Sequence, residues 1–218
     1  SFSGFGLSNS SASASVTAAK LAMDGSRRTD STFARSSGSR WPLDFSTRFR
    51  NAVNEFADAG NKKLLLDLRG NPGGFLNAAV DIASWFLPTG EIIARERFAD
   101  GNEDYYRSNG YKFLETVPVV VLIDQGSASA SEILAGALRD IRGIKLIGQK
   151  SFGKGSVQEL VNLSAGASLK VTIAKWLTPS GKTIEGEGLE PDLEVEITQK
   201  DADAGQDPQL NKALEILK

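Results

Sequence analysis

The chain contains neither histidine nor cysteine, which narrows its chemistry before any motif is weighed. A Ser-His-Asp triad is excluded, no thiolate is available as a nucleophile, and no His- or Cys-ligated zinc site can form. Proton transfer near neutral pH falls to a carboxylate, a lysine or a tyrosine whose pKa is shifted by its surroundings. Four stretches carry residues suited to such work: SASAS at 11–15, SASAS again at 127–131, RGNPGG at 69–74 and GQKSFGKGS at 148–156.

The two SASAS copies are each followed nine residues later by an aspartate, Asp24 and Asp140, yet their settings differ. The second lies where the apolar VVVLID gives way to a helical pattern, and Ser129-Ala-Ser-Glu132 fits a capping box with Ser129 as N-cap. A helix start also stabilises developing negative charge, so a cap and a catalytic serine are compatible there. The first copy has Val16 in place of the glutamate and no strand before it, which makes it part of a serine-rich tail. GQKSFGKGS misses a P-loop by one residue, since Gly155 stands where a Ser or Thr would hold magnesium, and the alternating VQELVNLS follows instead of a helix. Ser151 and Lys154 match S-x-x-K, but Gly153 and Gly155 indicate a loop rather than a helical turn. RGNPGG after a strand satisfies turn chemistry unaided; its glycines would also let backbone N–H groups approach a ligand, as an oxyanion hole requires.

Without histidine, a serine hydroxyl can be activated by a neutral lysine, whose pKa falls when its ammonium is desolvated. Lys154 has Phe152 and Val157 close in sequence, and these apolar neighbours are expected to desolvate it. Asp140 lies eleven residues beyond Ser129, about three helical turns or roughly 16 Å along the axis. It therefore cannot orient Lys154 beside Ser129 as a triad aspartate would. A structural role at the helix end is expected.

The elements that must position these residues follow from periodicity. Residues 1–44 are rich in Ser and Gly, with scattered Arg27, Arg28, Arg35 and Arg40 and one short helix around 15–23. FSTRFRNAVNEFADA (45–59) has helical spacing, KLLLDL (63–68) is a short apolar strand, and LNAAVDIASWFL (76–87) is a helix. Strands follow at 91–98 and 117–124, then a helix at 132–140 and a strand at 144–148. VQELVNLS and SLKVTIAKWLTP read as β, PSGKTI as a turn, and DPQLNKALEILK as an amphipathic helix. Strands alternating with helices indicate an α/β layer with crossover connections. Hydrophobic residues at 40%, charged residues at 24% and a net charge of −2 fit a globular domain without an electrostatic footprint for nucleic acid. No apolar run approaches the ~18 residues of a membrane span.

DLRGNPGG, GSASASEILAGALRD, SFGKGSVQEL and GEGLEPDLEVE, in that order, resemble the carboxy-terminal processing (tail-specific) proteases, serine peptidases with a Ser-Lys dyad. The resemblance runs from about Phe45 to Glu196. It implies an α/β ClpP/crotonase-like protease core at 45–200, with a C-terminal β-rich part, a terminal helix at 201–218 and the Ser/Gly-rich extension at 1–44. It implies Ser129 as nucleophile and Lys154, 25 positions on, as general base. Gln158 would orient the lysine, and the backbone N–H groups of Ala130 and Gly73 would form the oxyanion hole. Asp140 matches an acidic accessory position. No metal or cofactor is implied; the substrate would be a polypeptide, including C-terminal tails, or a small ester. Oligomers and a periplasmic or otherwise extracytoplasmic location are compatible with it.

The given sequence starts at Ser1 and shows no signal peptide, as a fragment or processed form would. The family's usual PDZ domain of about 90 residues, which binds substrate by strand addition, has no recognisable counterpart in 1–44. A PDZ-less esterase using the same dyad is one alternative. A non-catalytic ligand-binding module, as in the retinoid-carrying relatives, is another, although such a binder has no need for Ser129, Lys154 and Gln158 together. Acyl-CoA chemistry on a crotonase-like fold lacks a basic patch for the nucleotide.

Overall fold

A computed structural model of the chain describes residues 4–6, 16–20, 44–162 and 167–218. The core strands are β3 (Lys63–Asp67), β6 (Val119–Ile123) and β7 (Lys145–Gly148), which run parallel. They are extended on one side by β2 (Val16–Lys20) and β1 (Gly4–Gly6), and on the other by β10 (Leu193–Glu194), giving a six-stranded sheet ordered β1-β2-β3-β6-β7-β10. Helices α1 (Asp44–Asp58), α2 (Leu76–Ala83) and α3 (Ala130–Arg142) supply the crossovers.

Alternation along β3 divides the core. Leu64, Leu66 and Leu68 join Phe49, Ile82, Leu134 and Leu138 from the crossover helices, whereas Leu65 joins Val120, Leu122, Ile147 and Ala213. Ala213 belongs to α5 (Pro208–Ile216), so the two faces of the sheet carry different helices. Burial on both faces explains why β3 and β6 read as continuous apolar runs rather than alternating ones. Each large aliphatic side chain buried there contributes about 1.5–3 kcal/mol.

A second sheet, antiparallel and ordered β5-β4-β9-β8, consists of β5 (Glu103–Arg107), β4 (Ile92–Phe98), β9 (Ser168–Leu177) and β8 (Ser156–Asn162). Ile93, Ala94 and Trp176 bring it into the larger core. A one-turn helix, α4 (Gln199–Asp203), precedes α5.

One local reading is corrected. The short helix expected around 15–23 is absent as such: Val16–Lys20 pairs in parallel with Lys63–Asp67. Ladder pairing along the open side of β3 outweighs the modest helix propensity of Val-Thr-Ala-Ala-Lys. The first SASAS, at 11–15, lies outside the described residues.

The C-terminal helix is fastened to the end of β3 by Arg69. Its guanidinium donates to both carboxylate oxygens of Asp67 at 3.0 and 2.9 Å, to Asp207 Oδ1 at 3.0 Å and to Gln209 Oε1 at 3.0 Å. Asp207 in turn caps α5 by accepting from Leu210 N–H at 2.9 Å. Burial works against the arginine's charge, but the two carboxylates outweigh it and hold the guanidinium firmly protonated.

Candidate active site

The three serines of the second SASAS have different fates. Ser127 is buried, donates to Leu68 O at 2.8 Å and accepts from Asp124 N–H at 3.0 Å. Ser131 is buried and donates to Asn71 O at 3.0 Å. Ser129, between them, remains half-buried, at the junction where β6 has ended and α3 begins. Its backbone has φ 56° and ψ −118°, a region that costs a non-glycine residue about 1–3 kcal/mol and is tolerated only where the surroundings hold it. The holding contacts are explicit: Ala128 N–H donates to Asn71 O at 3.0 Å, and Ser129 N–H donates to Glu132 Oε2 at 2.7 Å. Ala130, the first residue of α3, carries one of the first-turn N–H groups that a helix leaves unpaired.

The RGNPGG turn is brought against this junction by the parallel pairing of β3 and β6. Gly70 N–H donates to Asp124 Oδ1 at 2.8 Å. Gly73 has φ 89°, and a Cβ added there would lie 2.4 Å from Ala128 O, 2.7 Å from Ala130 N and 2.8 Å from Ser129 Cβ. Only glycine fits so close an approach. The two expected oxyanion residues are thus adjacent, and both border Ser129. Gly73 N–H, however, donates to the side-chain oxygen of Asn71 at 3.1 Å, so this donor is engaged within its own turn. Gly74, the next residue, is exposed.

Lys154 lies on the loop between β7 and β8, and a buried glutamate organises that loop. Glu132 is 1% exposed and accepts four hydrogen bonds, from Ser129 N–H at 2.7 Å, Lys154 N–H at 3.0 Å, Gly153 N–H at 2.7 Å and Ser151 Oγ at 2.6 Å. These donors offset the cost of burying its charge. Ser129 and Lys154 share the same oxygen, so their backbone nitrogens lie within about 6 Å of each other. The capping-box reading found Glu132 but not this second half of its role, because three of its donors lie 19 to 22 residues away in sequence.

The side chains of the base-side residues are not drawn together in the same way. Lys154 and Gln158 are both exposed, and neither side chain has a hydrogen-bond partner among the described residues. The expected desolvation of Lys154 by its sequence neighbours is not met. Phe152 is 67% exposed, and Val157 packs toward the core. The loop turns its backbone N–H groups inward to carboxylates, which leaves the Lys154 side chain in solvent.

Asp140, at the far end of α3, accepts from Ser180 N–H at 3.1 Å and Ser180 Oγ at 2.6 Å. Burial alone would raise its pKa, but hydrogen bonds from Ser180 and Thr178 and the Arg139 charge outweigh it and hold the carboxyl below the usual range. It pins the turn at 178–182, not Lys154. Among the described residues, no helix is long and apolar enough to cross a membrane.

Comparison with known proteins places this arrangement in context. The pattern of peptidase family S41 matches residues 32–195. A carboxyl-terminal-processing protease of Synechocystis is 41% identical over 170 residues, covering 77% of this chain and 39% of that protein. A CtpA-like serine protease of Staphylococcus aureus is 40% identical over 154 residues, covering 70% of this chain and 31% of that protein. Among solved structures, a photosystem II D1 C-terminal processing protease superposes with a TM-score of 0.72 at 30% identity, over 88% of this chain and 45% of that one. The chain spans less than half the length of each of the three.

Proposed function

The chain belongs to peptidase family S41, and from that premise we propose that it is a serine peptidase in which Ser129 is the nucleophile and Lys154 the general base. The observation that carries this reading is the shared Glu132 oxygen, which ties the backbones of the two residues to one point. Neutral Lys154 takes the proton of Ser129 Oγ as the oxygen attacks the carbonyl carbon of the scissile bond. The resulting oxyanion is held by the N–H of Ala130, at the positive end of α3, and by that of Gly73 once it leaves the Asn71 side chain. Collapse of the tetrahedral intermediate passes the proton from Lys154 to the leaving amine. Water then attacks the acyl-serine, with Lys154 again as base, and releases the new carboxylate and the free serine.

The exposure of Lys154 gives the substrate a part in this scheme. An extended polypeptide lying over the Ser129 junction covers the lysine, strips water from its ammonium and favours the neutral form the reaction needs. Gln158, four residues along on β8, orients the amine, and Asp140 supports the site indirectly by fixing the 178–182 turn. The substrates are polypeptides, including C-terminal tails, and the place of action is outside the cytoplasm. Replacing Ser129 by Ala, or Lys154 by Ala, should abolish hydrolysis of a chromogenic peptide and labelling by a fluorophosphonate while leaving the thermal unfolding transition in place. Full turnover in either variant contradicts the dyad.

A further inference from the structure

The GEGLEPD stretch (186–192) carries part of the family resemblance, yet nothing in the reaction just described uses it or the Ile184-Glu185 pair before it. Its location suggests a task. The segment 184–189 lies directly against the loop that carries Lys154, and the two interlock through their backbones. Ser151 N–H donates to Leu189 O at 3.0 Å, and Gly186 N–H donates to Gly153 O at 2.9 Å. A Cβ on Gly155 would lie 2.4 Å from Glu185 N, and one on Gly188 would lie 2.6 Å from Ser151 O. Ile184, fully buried, anchors the segment in the core.

One side chain of this segment reaches the lysine loop itself. Gly155 N–H donates to Glu185 Oε2 at 2.8 Å. Three consecutive amides are therefore capped by carboxylates: Gly153 and Lys154 by Glu132, and Gly155 by Glu185. Lys154 is held on its N-terminal side from α3 and on its C-terminal side from the 184–189 segment. Gly155 O also accepts from Trp176 N–H at 2.6 Å, so the bond from Gly155 N–H to Glu185 is one of two that fix the backbone just past Lys154. The Lys154 side chain has no hydrogen bond of its own among the described residues, so its direction is set by this backbone.

We infer that Glu185 is a positioning residue for the general base: through Gly155 N–H it fixes the backbone from which Lys154 reaches Ser129. The inference rests on the Ser129–Lys154 reading. Because Glu185 acts through a hydrogen bond to the loop, its loss is felt in kcat rather than in substrate affinity, and a neutral acceptor of the same length replaces it.

Steady-state kinetics on a chromogenic peptide, with fluorophosphonate labelling rates measured in parallel, test this for Glu185→Ala, Glu185→Gln, Glu187→Ala and Lys154→Ala. Glu185→Ala should lower kcat and the labelling rate about tenfold with KM unchanged, while Glu185→Gln should restore kcat to within about threefold of the parent. Glu187→Ala, on the same segment but with an exposed side chain that makes no hydrogen bond to the loop, should match the parent. If Glu185→Ala melts below the assay temperature, Glu185→Ser, too short to reach Gly155, takes its place. Parent-like kcat in the Ala or Ser variant, or Gln as impaired as Ala, overturns the inference. Lys154→Ala separates the two readings: if it is inactive while Glu185→Ala is unimpaired, only the inference fails, and if it is fully active the dyad fails and the inference with it.

Discussion

Ser129 and Lys154 rest on supports of opposite kinds. The serine stands on the core: β6 runs into its turn, α3 leaves from it, and its sequence neighbours Ser127 and Ser131 are buried and bonded to the strand and turn beside them. The lysine stands on a loop whose Phe152 and Lys154 side chains face solvent and whose backbone hangs from two carboxylates. The strained backbone of Ser129, the proposed nucleophile, is fixed by the fold itself, and that strain is sustained by a sheet buried on both faces. Lys154, the proposed base, is held by a shallower restraint, which in the proposed mechanism leaves substrate to complete that side of the site. A Ser-Lys pair gains from such a division, because a permanently buried lysine would have to be kept desolvated at continuous cost.

Glu132 joins the two supports, so removing it is the most severe way to break the contrast. Glu132→Ala leaves four donors without their acceptor, three of them backbone N–H groups. Losing satisfied partners in a buried site costs about 1–3 kcal/mol each, so denaturant unfolding should show a loss of several kcal/mol and peptidase activity should fall below detection. An active, stable Glu132→Ala variant would mean that the serine and lysine sides are placed independently. Gly73→Ala comes next and strikes the serine side alone. Its Cβ would meet Ala128 O and Ala130 N at 2.4 and 2.7 Å, which displaces the expected oxyanion donors and should reduce kcat by roughly 10²–10³. A kcat within twofold of the parent would remove Gly73 from the oxyanion hole.

Asp140→Asn has the smallest expected effect and acts at the far end of α3, on the 178–182 turn. The substitution weakens the grip on Ser180 and should lower kcat by only a few-fold. It should also change the acid limb of stability. Asp140 and Asp207 both have carboxyl pKa values held below normal in the folded protein. Their contribution is therefore present above the ordinary aspartate value of about 3.9 and is lost as pH falls through the lowered folded values. The melting temperature of the parent should decline below about pH 4, and Asp140→Asn should flatten part of that decline. An unchanged acid limb would show that the Ser180 contact does not stabilise the fold.

The serine side was largely legible in sequence because it is local. A continuous apolar strand, a serine and a glutamate three residues later specify a strand-to-helix junction, and the composition of RGNPGG favours a tight turn whose glycines allow close backbone approach. Partners set by topology were not legible. Glu132's donors at 151–154 and Glu185's contact with Gly155, 30 residues apart, arise from strands that meet only after the sheets have formed. Val16–Lys20 shows the same limit, since its helix-compatible composition yields to pairing with a strand more than 40 residues on. Lys154's exposure is hidden in the sequence because nearness along the chain to Phe152 gives no spatial cover: glycines on both sides of the lysine let the loop turn its N–H groups toward carboxylates.

The Arg69 clasp has a consequence in time. Asp207 and Gln209, which hold the stem of the Gly73 turn from outside through Arg69, are synthesised well after Ser129 and the strands that frame it. While the chain is being made, β3, β6 and α3 can pair and pack, yet the turn beside Ser129 lacks its outer anchor. Ser129 is thus in place early, and the finished geometry around it comes late.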